Sequence, residues 1–208
     1  MALIHTDIYA KSLFMATQLD VILPEPQQGV GVAASGEGDA DAPLPVLYLL
    51  HGTTDDHTIW QRRTSIERYV AGKRLAVVMP TAHLSAYANQ KYGYAYMDYI
   101  TEELPEVCNR LFKTSLRRED AFIAGLSMGG YGALKLGLFK PDRYAAAAGL
   151  SPGVDRLITL PREAAHMTCL EDLEPLRATN RQAFQQAVQF YLNFGTPADY
   201  EASLENNL

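Results

Sequence analysis

No basic patch runs through this sequence. Its 18 Lys and Arg stand against 24 Asp and Glu, a formal net charge of -6, and short pairs such as Arg62-Arg63 and Arg117-Arg118 read as solvated surface. A nucleic-acid partner is therefore not expected, because phosphate binding needs a concentrated basic face. Long apolar runs are missing too. None approaches the roughly 18 residues that cross a bilayer, and the opening MALIHTDIYAKSLF lacks the charged and apolar regions of an export signal. Cysteine is scarce, with only Cys108 and Cys169. Neither belongs to a CxxC pair or lies beside a base, so two free thiols and a soluble cytoplasmic protein are expected. What remains is ordinary globular composition, 48% hydrophobic and 20% charged over 208 residues, which fits one domain.

Along the chain, Ser12 to Leu23 reads as a strand ending at Pro24. Residues 24–45 then shift to Gly, Ala, Pro and acid and read as a surface loop or hairpin between core strands. Short apolar runs at Pro45–Leu50, Arg74–Pro80 and Ala121–Leu126, with the small-residue run Tyr144–Ser151, predict strands buried on both faces. Between them, apolar spacing predicts helices over Thr58–Gly72 (Ile59, Ile66, Tyr69, Val70), Tyr96–Phe112 (Ile100, Leu104, Val107, Leu111) and Met128–Phe139. Regular alternation of strand and helix implies a mostly parallel sheet with helices on both faces. From residue 154 to 194 the pattern becomes a helical, cap-like insertion. Arg162–His166 and Arg181–Phe194 read as helices, the second with Phe184, Val188, Tyr191 and Leu192 along one side, and a last helix follows.

Gly125-Leu126-Ser127-Met128-Gly129 is a G-x-S-x-G pattern set between a buried strand and a helix. That context fits a nucleophile elbow and, with it, an α/β-hydrolase fold. The serine must stand on a tight strand-to-helix turn, and glycines on either side let strand and helix approach. Met128 opens the helix, and its N–H faces the place where an oxyanion would form. His51-Gly52-Thr53 follows another buried strand, where this fold keeps its second oxyanion donor. Thr53 N–H is that candidate, Gly52 lets the loop turn close to Ser127, and His51 suits propping the loop better than moving protons.

The blocks LLHGTTDDHTIW, KYGYAYMDYITEELP, AGLSMGGYGALKLGL and KPDRYAAAAGLSP, in this order and spacing, resemble the esterase D group. That group includes tributyrin esterases, S-formylglutathione hydrolases and related feruloyl and acetyl esterases. The resemblance implies hydrolysis of short-chain carboxylic esters, a small-molecule ester as partner, and neither metal nor cofactor. It also places the tyrosines between Tyr87 and Tyr96 near the site entrance; Tyr92, Tyr94 and Tyr96 fit packing under the sheet edge equally well.

A serine needs a base, normally a histidine oriented by a carboxylate and following it in the chain. After Ser127 the sole histidine is His166, the carboxylates between them are Asp142, Asp155 and Glu163, and Asp155 follows the fourth strand. His166 falls in the cap-like stretch, whereas the resembled group carries its acid and histidine after two further strands. The favoured expectation is that this chain lacks those two strands and their Asp and His. The exposed parallel strand left behind would favour pairing between copies. Two other readings stay open: a hydrolase-like binding module without the triad, and an acyltransferase differing only in its acceptor.

Overall fold

The computed structural model describes residues 1–25, 41–204 and 206. Most of the surface loop expected at 24–45 thus lies outside the described residues. Around it, β2 (Met15–Leu23) and β3 (Val46–Leu50) both enter the sheet. The remaining strands are β1 (Ala2–Ala10), β4 (Ala76–Pro80), β5 (Ala121–Leu126) and β6 (Ala146–Leu150). They form one six-stranded sheet in the order β1-β2-β4-β3-β5-β6. Neighbours from β4 to β6 run parallel, and the β1–β2 hairpin is antiparallel and joins β4 antiparallel.

Helices cover the two faces unequally. On one face α1 (Ile59–Arg63) and α2 (Ile66–Val70) bury Ile66 and Val70 against Ile22, Leu49, Val77 and Met79. The opposite face carries α3 (Tyr96–Asp98), a π turn over Tyr99–Glu103, α4 (Leu104–Phe112) and α5 (Met128–Phe139). Their Tyr99, Ile100, Leu104, Tyr131 and Leu136 pack on Leu19, Val21, Tyr48, Val78 and Ile123. Side chains of β3 and β4 alternate between these two clusters, as the two-residue period of a strand requires. β6 lies at the edge of the sheet, and its Ala146, Ala147 and Ala148 are exposed. Those small residues predicted cover on both faces; α5 approaches β6 closely enough that a Cβ on Gly137 would stand 2.5 Å from that of Ala147, while the edge position leaves one side without a partner strand.

Beyond β6, α6 (Glu174–Thr179), α7 (Arg181–Phe194) and α8 (Pro197–Ala202) build the cap-like part, and they join the main core cluster. Several sequence expectations need correction. β1 was not anticipated, and the strand expected from Ser12 begins at Met15 after a tight turn over Lys11–Leu13. The helix expected over Thr58–Gly72 is broken at Thr64, whose backbone is extended (φ -137°, ψ 174°) and whose hydroxyl bonds the Trp60 carbonyl. That back-bond competes with the helical ladder. Tyr69 and Leu111, expected inside, are exposed, and Cys108 takes the inward place in α4. Arg162–His166 holds only a 3₁₀ turn over Arg162–Ala164. The buried stripe of α7 is Ala183, Ala187, Phe190 and Phe194, so the helix is rotated by about one residue from the face read in the sequence.

Candidate active site

Ser127 stands where β5 gives way to α5, with φ 55° and ψ -113°. A side chain rarely tolerates positive φ, and such strain persists only where the surroundings hold it. Here they do. The Ser127 N–H donates to the Leu150 carbonyl at 2.9 Å, tying the turn to β6, and the Tyr131 N–H donates to the Ser127 carbonyl at 2.9 Å. The flanking glycines are needed for close approach. A Cβ on Gly125 would collide with the Gly129 backbone, and one on Gly129 would stand 2.5 Å from the Leu50 carbonyl oxygen and 2.6 Å from that of His51. Only bare backbone lets α5 start this close to β3.

The serine side chain is exposed to a cavity of about 500 Å³. Thr53 and Met128 line the same cavity, and residues of α7 form its far wall. The first N–H groups of a helix have no intrahelical partner, so the start of α5 presents donors there. From the other side comes the loop after β3. A Cβ built on Gly52 would lie 3.7 Å from that of Ser127, so glycine brings this loop's backbone against the serine. The loop after β3 and the start of α5 thus both lie beside Ser127.

His51 anchors that loop and is fully engaged. The Ala82 N–H donates to His51 Nε2 at 2.9 Å, which leaves the ring proton on Nδ1 to donate to the Gly52 carbonyl at 2.7 Å. Burial is the main cause that lowers its pKa from the ordinary histidine value, keeping the ring neutral. The buried Tyr87 hydroxyl donates to the His51 carbonyl at 2.9 Å, and burial raises its pKa well above the ordinary tyrosine value. Further along, the His57 N–H donates to Thr81 Oγ1 at 3.3 Å. His57 Nε2 lies 3.8 Å from the buried Asp20 Oδ1, which also meets His5 Nδ1 at 2.7 Å.

The two low-ranking triad candidates are not brought to the serine. Asp155 Oδ1 accepts the Leu157 N–H at 2.9 Å, and Asp155 does not line the cavity. His166 is exposed and also outside the lining. The other histidines are engaged elsewhere, His83 Nδ1 meeting the Tyr96 hydroxyl at 2.8 Å. No histidine among the described residues hydrogen-bonds Ser127. Of the loop tyrosines, Tyr96 is buried. Tyr92 stacks on Tyr191 at 4.9 Å between ring centres. Tyr92 and Tyr94 are half exposed and line a second groove, with His83, Leu84 and Gln189, beside the first. No cluster of His, Cys, Asp and Glu among the described residues could hold a metal ion. Nor is any described helix long and apolar enough to cross a membrane.

Three contributors escaped the sequence reading. Tyr87 was placed only near the site entrance, Arg156 was not assigned at all, and beside Phe190 and Phe194 the cavity face of α7 carries a row of amides (Gln182, Gln185, Gln186, Gln189, Asn193). The i, i+3, i+4, i+7 spacing of those glutamines was the legible signal.

Comparison with known proteins agrees with this architecture. The family model described as "Putative esterase" matches residues 35–206. Among solved structures, the fluorophosphonate-binding serine hydrolase F of Staphylococcus aureus is 40% identical with a TM-score of 0.67, covering 78% of this chain and 61% of its own. An S-formylglutathione hydrolase of the same organism is 33% identical with a TM-score of 0.67, over 95% of this chain and 71% of its own. A relative described as an acetyl esterase, from Caldicellulosiruptor saccharolyticus, is 29% identical over 166 residues, 78% of this chain and 61% of the relative. The chain thus spans about six tenths of the length of two of these relatives. It belongs to this esterase family and carries its α/β-hydrolase fold.

Proposed function

We propose that the protein is a serine carboxylesterase acting on short-chain acyl esters through an acyl-enzyme on Ser127. One observation carries the reading. The strained serine, the open start of α5 and the Gly52–Thr53 loop converge on a single cavity. In the first step Ser127 Oγ attacks the ester carbonyl carbon and gives its proton to a base. The N–H groups of Thr53 and Met128 hold the tetrahedral oxyanion, a contribution typically of about 10²–10³ in rate per donor. The C–O bond to the alcohol breaks, and the base returns the proton to the leaving oxygen. Water then attacks the acyl-enzyme, losing its proton to the same base, and releases the acid and free Ser127. No metal or cofactor enters these steps.

The base and its orienting acid we place outside these 208 residues. Two facts support that: none of the five histidines hydrogen-bonds Ser127, and the chain spans only part of its relatives. The two cysteines are unpaired, which supports a reducing compartment, the cytoplasm. The open β6 edge supports association between copies. The same lack of a base at Ser127 favours the second reading, a binding module that keeps the cavity without turnover.

The test is acylation by p-nitrophenyl butyrate, with and without added imidazole as a replacement base, read by mass spectrometry. A butyryl group on Ser127, absent from Ser127→Ala, is the expected result. No adduct even with imidazole favours the binding module. Turnover without imidazole that disappears with His166→Ala overturns the placement of the base.

A further inference from the structure

Among the described residues that line the cavity above Ser127, one carries a charge, and it is Arg156. This is notable in a chain with six more acidic than basic residues. Arg156 follows β6 and opens the 3₁₀ turn over Leu157–Thr159. Its guanidinium carbon lies 5.7 Å from the centre of the Tyr131 ring, and its Nε is buried without a hydrogen-bond partner. No ion pair among the described residues includes it. The adjacent Asp155 turns its carboxylate back to the Leu157 N–H. Burial lowers the Arg156 pKa from the ordinary arginine value, yet a guanidinium remains charged at any working pH.

A cation partly withdrawn from water without a counter-ion is unfavourable, and the ring face of Tyr131 compensates it only in part. A planar guanidinium matches a carboxylate through two parallel N–H···O bonds. The rest of the polar lining is neutral: hydroxyls and the amides of α7. A single positive charge is balanced by a single negative one, which favours a monoanion over a dianionic phosphate.

We propose that this cavity selects esters whose acyl or alcohol portion carries a carboxylate, bound by Arg156. The inference rests on the reading above only in taking this cavity as the substrate's.

The test is binding without turnover, in the Ser127→Ala background, by isothermal titration calorimetry at low salt. p-Nitrophenyl hydrogen adipate supplies the anion on the acyl side, and p-nitrophenyl methyl adipate is its neutral match. For the alcohol side the pair is 4-carboxyphenyl butyrate and its methyl ester. In at least one pair the anion binds about tenfold tighter or more, as a charge-assisted contact requires. The preferred pair tells which portion bears the carboxylate. Arg156→Gln brings the preferred pair to parity. Arg156→Lys, which keeps the charge but not the fork, retains part of the preference and carries the test should the Gln variant fail to fold. Equal binding within both pairs, a preference that survives Arg156→Gln, or no binding of any ester overturns the proposal. A chain that never acylates Ser127 yet shows the preference refutes the esterase reading alone.

Discussion

Replacing Ser127 with glycine should make the protein more stable than replacing it with alanine. Ser127 is held at φ 55° and ψ -113°, a conformation that glycine adopts without steric conflict and that any Cβ opposes. Strain of this kind is worth about 1–3 kcal/mol per residue. Against it stands the added freedom glycine gives the unfolded chain, about 0.4–1 kcal/mol. The side chain is exposed, so removing its Cβ forfeits little buried area. The difference leaves Ser127→Gly more stable than Ser127→Ala by about 1 kcal/mol, which for a chain of this length is about 2–4 °C in melting temperature. Because both variants lack the hydroxyl, the comparison isolates the backbone. Thermal melts and urea titrations of the two measure it directly. A glycine variant melting at or below the alanine variant would refute the claim that the elbow stores strain, and with it the idea that stability is given up here to expose the serine.

Gly129→Ala should destabilise by about 1–3 kcal/mol in urea, since its Cβ meets two carbonyl oxygens of fixed backbone rather than a movable side chain; an unchanged midpoint would show that α5 can slide off β3. Tyr87→Phe strips the His51 carbonyl of a buried donor, and a loss of about 1–3 kcal/mol is expected in the same titration. His51 gives a pH dependence with a definite sign. Burial lowers its folded-state pKa below the ordinary value of about 6.5, so in that window the unfolded chain binds more protons. Its contribution is complete above about pH 6.5 and is lost as pH falls toward the folded value. The melting temperature of the wild type should therefore drop more steeply from pH 7.5 to 5 than that of His51→Gln, and parallel curves would refute the assignment.

What was legible in the sequence was whatever a short pattern fully specifies. β5 and α5 fall on the residues expected, Ala121–Leu126 and Met128–Phe139, because a buried apolar run, a glycine-flanked serine and a helix-ending proline all punctuate the same stretch. β1 was not legible: its inward positions include Thr6 between Ile4 and Ile8, and His5 and Asp7 alternate outward, so no apolar run announces a strand. The break at Thr64 depends on a side chain bonding the backbone one turn earlier, which apolar spacing does not record. At the candidate site, the meeting of Ser127, Thr53 and Met128 at one cavity was readable because it follows from backbone position. The places of Tyr87 and Arg156 were not, because they come from what long-range packing sets beside them.

The join between α7 and the tyrosine loop has a consequence for the order of assembly. The Lys91 and Tyr92 N–H groups donate to the carbonyls of Asn193 and Leu192, each at 3.0 Å, and Gln90 Nε2 donates to Asn193 Oδ1 at 2.7 Å across 103 residues of sequence. Strands β1 to β5 and the serine turn lie wholly earlier in the chain. As the polypeptide leaves the ribosome, the sheet can form while the cavity is still open on one side. The wall that gives the serine its pocket arrives after the serine turn, by contacts among the longest between described residues and therefore among the slowest to close.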